Sequence, residues 1–428
     1  MDVIRDKSTR AKALTGSQKS LRPARLRHIP PVAVPITARD LWQGALGALS
    51  PNAAREQFRA QICAYTDADV CLLTSSGRAA LTIILLALRR LSPRRRVIVP
   101  AYSCPTVVQA ILAAELTPLF CDVTPQTLAL DRDQLRRLME QQPLAIIVTY
   151  LYGMVYETGA LVAAARDRGI FVVEDAAQAF GAAWAGQKAG AGGEFGFFSL
   201  GRGKCLPAGH GGAVLCRAPY AAALAEAAGA QIAGGATRGL GALFAFLAYG
   251  IATRPGVWWF VARSPLNPAA AGMDVAQLPP IRLGALSGTH AALGNSILSR
   301  LEPLMARRRR NARLLRGVLD RYDYVSAPPV PANAEPAYLR LPIVVDSPQR
   351  AQTLHRLLFA AGIGASRSYT YTLPELFADQ LDVSASDYPG AACLARCLLT
   401  LPTHHFLQDR DLETIDQVLA QVARYKEE

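Results

Sequence analysis

"FFSLGRGKCLPAGHGG", residues 197–212, sets a single lysine among glycines, aromatic rings and small side chains. In a chain with 46 lysines and arginines the ordinary reading of any one of them is a solvated surface charge. The neighbours of Lys204 argue otherwise. Phe195 to Phe198 reads as a buried strand and Gly211 to Leu215 as another, so Lys204 projects from a tight loop between two core strands. Partial burial disfavours an ammonium ion, and an uncharged amine attacks aldehydes. The rest of the chain then has to supply what an aldehyde cofactor needs.

Upstream of this loop, short apolar runs alternate with helical patterns. Asp69 to Thr74, Val97 to Pro100, Pro118 to Val123, Leu144 to Thr149 and Ile170 to Glu174 are strand candidates, separated by helices such as Gly77 to Arg90, Pro105 to Ala114 and Gly159 to Arg168. Such alternation predicts a mostly parallel sheet covered by helices on both faces, with ligands gathered at the carboxyl ends of the strands. Downstream, residues 286–322 form one long helical pattern. A strand over "AYLRLPIVV", a helix from Pro348 to Ala361, a short strand from Gly364 to Arg367 and a last helix from Asp409 to Tyr425 then complete a smaller α+β unit. The expected division is an arm over 1–37, a large domain over 38–285 with an apolar insert at 220–280, and a connecting helix plus small domain over 286–428.

A length of 428 residues with 51% hydrophobic and 18% charged residues describes a globular chain. The net charge is +13, and residues 1–31 hold eight lysines and arginines against Asp2 and Asp6. That tail lacks an apolar run and reads as flexible. Arginine clusters at 94–96 and 307–310 read as solvated helix faces and loop ends; no nucleic-acid motif accompanies them. The eight cysteines form no CxxC pair and read as buried free thiols, with no metal site expected, in a cytoplasmic protein. Residues 239–262, "GLGALFAFLAYGIATRPGVWWFVA", carry Arg254 as their one charge but are broken by Pro255 and too short to span a bilayer. Two readings stay open there: a buried or subunit-contacting hairpin, or an interfacial segment that, with the basic arm, makes peripheral membrane contact.

Pyridoxal 5′-phosphate demands a lysine, an acid for its pyridine nitrogen, a phosphate cradle and a group packed on its ring. Asp175 ends the apolar run of "GIFVVEDAAQAFGA", 29 positions before Lys204, and is the candidate acid. In "LLTSSGRAALTIILLAL" a strand runs straight into a helix through Ser76, Gly77 and Arg78. Free N–H groups and the helix dipole favour an anion there, with Ser199 in reach of the same phosphate.

Together with "VIVPAYSCPTVVQAILAAELTPLFCDVTPQTLALD", "LYG", "AALG" and "LTLPTHHFL", these segments resemble the DegT/DnrJ/EryC1/StrS family of pyridoxal-phosphate sugar aminotransferases. The resemblance spans roughly residues 38–217 and 286–428. It implies the aspartate-aminotransferase-like fold-type I architecture: a large domain with a mostly parallel central sheet plus a small C-terminal α+β domain. It also implies a homodimer in which Lys204 holds the cofactor aldehyde and shuttles the Cα proton. Asp175 would pair the pyridine nitrogen, Gln178 would lie at the ring hydroxyl, and Ser76, Gly77, Arg78 and Ser199 would hold the phosphate. The implied reaction moves an amino group from an amino acid, glutamate by expectation, to a keto-sugar that is nucleotide- or lipid-linked.

Three departures bear on that expectation. Where the family stacks an aromatic ring on the cofactor, this chain has Cys104, leaving Cys104 or Tyr102 for the task, and Tyr102 is also a substrate-contact candidate. The family's "GEGG" is "GHGG", which makes His210 a second candidate for substrate contact. The Asn-x-Arg before "AALG" is replaced by Leu283 and Ala285, which weakens the cross-subunit phosphate contact. Alternatives carried forward are a different keto substrate, the dehydratase branch, which has histidine where this chain has Lys204, and a cofactor-binding regulator or scaffold without activity.

Overall fold

Val97-Ile98-Val99 and Ala145-Ile146-Ile147-Val148 are apolar at every position, and such strands need cover on both faces of a sheet. The structure, a computed structural model, describes residues 26–229, 239–264, 278–381 and 383–424. In it the alternate side chains of these strands divide between two cores. Val97, Val99, Ala145 and Ile147 pack into one, and Ile98, Ile146 and Val148 into the other.

The chain opens with α1 (Ala38–Leu49) and α2 (Pro51–Thr66). It then alternates β1 (Val70–Thr74), α3 (Gly77–Leu91), β2 (Arg96–Pro100), α4 (Pro105–Ala113), β3 (Thr117–Cys121), α5 (Arg132–Glu140), β4 (Ala145–Thr149), α6 (Gly159–Arg166) and β5 (Phe171–Asp175). A small hairpin, β6 (Ala183–Trp184) and β7 (Gln187–Lys188), precedes β8 (Phe195–Ser199) and β9 (Gly212–Cys216). Seven of these strands form one sheet in the order β1-β9-β8-β5-β4-β2-β3. Only β9 runs against the rest, because its pairings with both β1 and β8 are antiparallel. The carboxyl ends of β1, β2, β4, β5 and β8 therefore lie along one edge. The protein is an α/β fold with a mostly parallel central sheet, as its sequence predicts.

The insert contains α7 (Ala221–Ala228), α8 (Leu240–Ala252) and α9 (Pro255–Arg263). After it come α10 (Gly288–Leu298), α11 (Leu301–Leu319), β10 (Val325–Ser326), β11 (Ala334–Glu335), β12 (Leu341–Val345) and α12 (Pro348–Ala360). Last are α13 (Leu373–Leu381), α14 (Pro389–Cys397), β13 (Leu398–Leu401) and α15 (Asp409–Ala423). β10, β12 and β13 make a three-stranded sheet, and β11 joins the β6–β7 hairpin.

Four expectations are corrected. The helical pattern over 286–322 is two helices, interrupted at Ser299 and Arg300; Arg300 leaves helical geometry (φ −127°) and reaches Asp40 (2.5 Å) and Pro35 O (2.7 Å). Gly364 to Arg367 contributes a single bridge, Ser366 to Thr400, on the edge of β13 that β12 leaves free, because the segment turns sharply there, Ala365 N–H donating to Ile363 O at 2.8 Å. Residues 1–25 lie outside the described residues, but the arm is packed beyond them: Ile29 is fully buried and bridges Ile363, while Arg27 pairs with Asp411 at 2.5 Å. In the 307–310 run, Arg308 is buried, at 2% exposure, rather than solvated.

Candidate active site

The site is assembled from the ends of the parallel strands. β5 stops at Asp175, which is buried, and its register places Thr149 of β4 on one side and Phe197 of β8 on the other. One Asp175 carboxylate oxygen accepts the Ala177 N–H at 3.0 Å. Burial pushes its pKa up to about 6, against the Ala177 hydrogen bond and the positive charge of Lys204. A carboxylate raised this way is stabilised by any further cation brought against it.

The loop from β8 to β9 closes on itself. Leu200 N–H donates to Gly211 O and Ala208 N–H to Leu200 O, each at 2.9 Å, and Gly201 bridges Gly209. Gly211 has φ +118°, and a Cβ there would sit 2.3 Å from Leu286 Cδ1, so glycine is required at that turn. Lys204 is half-buried at the loop's bend. The next residue, Cys205, is buried and its thiol donates to Gln178 O at 3.2 Å. The loop is thereby pinned to the segment that follows Asp175, which puts amine and acid on one edge.

At the end of β1 the chain enters α3. Ser76 caps the helix by accepting Ala79 N–H at 3.1 Å. The N–H groups of Gly77 and Arg78, in the first turn, have no intrahelical acceptors and are available to an anion. A Cβ on Gly77 would lie 2.8 Å from Ser199 Cβ, so Ser199 presses against the helix start. The Arg78 guanidinium turns away, to Gln109 Oε1 (3.1 Å) and Pro279 O (2.6 Å), so its main chain is what it offers a phosphate. The segment replacing Asn-x-Arg closes against this turn: Ser75 N–H donates to Gly284 O (2.6 Å) and Ser75 Oγ to Arg282 O (2.7 Å).

A tyrosine cluster forms the opposite wall. The Gln178 amide is held at both ends, accepting Tyr152 N–H at 3.1 Å and donating to Tyr369 Oη at 3.2 Å. Tyr102 is fully buried and its hydroxyl donates to Tyr369 O at 3.2 Å, which sets it behind the Tyr369–Gln178 contact. Cys104 is half-buried at the N-terminus of α4; burial, and after it Cys104, raises the pKa of both Tyr369 and Tyr371, so the thiol lies near that pair. His210 is exposed, its ring 6.3 Å from that of His290. His404 is buried, donates from Nε2 to Pro30 O at 2.7 Å, and is pushed down to about 3 by burial. Tyr152, Tyr369, Tyr371, Arg308 and Arg340 are the neighbours that sequence reading missed; "LYG" pointed to Tyr152 without a role.

These residues fit pyridoxal phosphate. Asp175 forms no ion pair among the described residues and suits a protonated ring nitrogen. The crowded Gly77–Ser199 contact leaves main-chain donors where a phosphate would lie, and Lys204 is the amine on the same edge. The fold and this edge define an α/β protein of the fold-type I cofactor-binding class. The sequence profile described as the DegT/DnrJ/EryC1/StrS aminotransferase family matches residues 47–242 and 282–422, and the chain belongs to that family.

Among curated relatives, the L-glutamine:2-deoxy-scyllo-inosose aminotransferase of Streptomyces lividus is 36% identical over 161 residues. Protein MosB of Rhizobium meliloti is 31% identical over 188 residues. These matches cover 38% and 36% of the relatives' own lengths, and 38% and 44% of this chain. Similar solved structures include a DegT DnrJ EryC1 StrS aminotransferase from Brucella abortus (TM-score 0.69, 23% identity, covering 90% of this chain and 96% of that one). The sugar aminotransferase CalS13 from Micromonospora echinospora is another (TM-score 0.70, 22% identity, covering 92% and 99%). At these identities the likeness is one of fold.

Proposed function

We propose that this chain is a pyridoxal-phosphate-dependent aminotransferase that moves an amino group from an amino acid to the carbonyl of a keto-sugar or a related cyclic polyol. The observation that carries this reading is the convergence of Lys204, Asp175 and the N-terminus of α3 on one sheet edge. Bound there, the cofactor supplies an electrophilic aldehyde and an electron sink. Lys204 is the amine that would hold the cofactor and would be placed to move a proton at the substrate Cα. Asp175 would hold a proton on the ring nitrogen, and the main chain of Gly77 and Arg78 with Ser76 and Ser199 would anchor the phosphate. Gln178, fixed by Tyr152 and Tyr369, would bear on the cofactor's hydroxyl side, and Cys104 would be the side chain that packs against it.

Glutamate or glutamine is the donor in this reading; curated relatives carry L-glutamine in their names. The acceptor is nucleotide- or lipid-linked, and the working unit is a homodimer at the cytoplasmic face of a membrane. Support for the membrane contact is the insert. α8 exposes Phe244, Leu247 and Ile251 at three- and four-residue spacing, and α9 exposes Val257 and Phe260. Arg254 and Arg263 are exposed on the same insert, and no helix among the described residues is long and apolar enough to cross a bilayer.

Borohydride reduction of the purified protein followed by peptide mass spectrometry tests the site: the added mass belongs on Lys204. A label elsewhere, or none, removes the mechanism. A panel of amino donors and keto-sugars, run on wild type and Lys204→Ala, tests the reaction. A visible absorption band that no donor bleaches overturns transamination.

A further inference from the structure

Arg340 is an arginine that nothing in the fold explains. It immediately precedes β12, on a segment docked against the "LYG" turn by Ala337 N–H donating to Gly153 O at 2.9 Å. Its guanidinium stacks over the Tyr152 ring, with Cζ 5.3 Å from the centroid. It forms no ion pair among the described residues, and its Nε is buried without a hydrogen-bond partner. Arg316, Arg350 and Arg367 also have a buried, unpaired Nε, but each spends a terminal nitrogen on a carbonyl or a carboxylate.

Two further polar atoms around Tyr152 and Tyr369 are in a similar position. Ser368 Oγ and Tyr371 Oη are buried and make no hydrogen bond of ordinary geometry, although Ser368 lies close enough to Tyr152 to work against the burial that raises the pKa of its phenol. Behind them Arg308, at 2% exposure, has a buried Nη1 without a partner. Burial raises the pKa of the Cys205 thiol, and Arg308, Lys204 and Arg340 each work against that rise, so all three cations lie in its neighbourhood. Keeping unpaired cations and hydroxyls partly out of water is costly unless an anion completes them. A guanidinium stacked on an aromatic ring keeps its edge of donors free, and that edge matches a carboxylate in a bidentate pair.

We propose that Arg340, with the hydroxyls of Ser368 and Tyr371, is the subsite that binds a carboxylate of a reactant. Every α-amino acid donor brings a carboxylate on the reacting carbon, and pinning it fixes which bond at that carbon faces Lys204. An acidic keto-sugar brings the same group. This inference rests on the aminotransferase reading, and its test separates the two.

The probe is glutarate, an unreactive dicarboxylate, titrated calorimetrically into the purified holoenzyme and into Arg340→Gln and Arg340→Lys. The expected result is a dissociation constant weakened about 10²-fold by Arg340→Gln and less by Arg340→Lys, which keeps charge but loses the fork. Melting temperatures and the borohydride label on Lys204 should be unchanged, so failure of the cofactor reading would show independently. Stopped-flow bleaching by glutamate and by glutamine, against the reverse half-reaction with amino-sugars with and without a carboxylate, identifies which reactant supplies the group. Equal glutarate affinity in all three proteins, with both half-reactions unaltered, overturns the proposal.

Discussion

The carboxyl edge of the central sheet and the α8–α9 insert are opposite solutions for exposed chain. Along the sheet edge, polar groups are numerous and held: Gln178 by two partners, the Lys204 loop by main-chain bonds, Ser76 by its own helix. In the insert, apolar groups are numerous and several are left in solvent, Phe244 at 70% and Phe260 at 59%. Even so, the insert is tied to the fold. Phe246 of α8 is buried and lies 3.1 Å from where a Cβ on Gly209 would stand, and Leu243 lies 2.7 Å from the same position on Gly44 of α1. An apolar surface that is fastened at its back and bare at its front is suited to a partner, whereas the sheet edge is suited to a small charged ligand.

The largest expected break in this contrast is Lys204→Ala, which should lower turnover by roughly 10³-fold or more in a coupled amination assay while leaving vesicle binding intact. Asp175→Asn comes next. It should reduce turnover on the order of 10²-fold or more, yet make the cofactor-free protein more stable above pH 6. The sign follows from the raised pKa, 3.8 shifted to about 6. Between those values the folded chain keeps a proton that the unfolded chain releases, so wild-type stability falls as pH rises through that window and is lower by up to about 3 kcal/mol above it. Chemical denaturation of the apoprotein at pH 4 and pH 8 measures this: the substitution should matter only at pH 8.

A smaller effect is expected from Gly77→Ala. The new methyl would sit 2.8 Å from Ser199 Cβ and 3.2 Å from Ser199 Cα, and strand β8 cannot yield freely. A cost of about 1–3 kcal/mol and weaker cofactor retention on dialysis should follow together. The smallest effect on stability belongs to the insert: Phe244→Ser, Leu247→Ser, Ile251→Ser and Phe260→Ser combined should change melting little, while abolishing flotation with anionic phospholipid vesicles. Flotation that survives all four substitutions removes the membrane contact, and a shift in sedimentation instead assigns the surface to a second copy.

The strands were legible because burial on both faces leaves uninterrupted apolar runs, and β1 through β5 fall within a residue or two of their expected ends. Lys204, Asp175 and Gly77 were legible because each stands at a junction whose neighbours are apolar or glycine. Arg308 and Arg340 were not, since an arginine in "ARRRRNA" or "YLRLP" looks solvated until a helix and a strand are docked. Tyr369 and Tyr371 have no local signal at all; their place depends on the small sheet meeting the large one. The break at Arg300 was hidden for the same reason, because its partner Asp40 lies 260 positions away.

By itself, then, the sequence determined the sheet, its parallel sense and the chemical parts at its edge, all of which follow from local periodicity and from residues whose backbone demands are local. The tertiary structure decided which arginine is buried, which apolar face stays bare and which tyrosines close the site. Those outcomes depend on pairs of residues far apart in the chain, and no short-range pattern encodes the environment that a distant segment will supply.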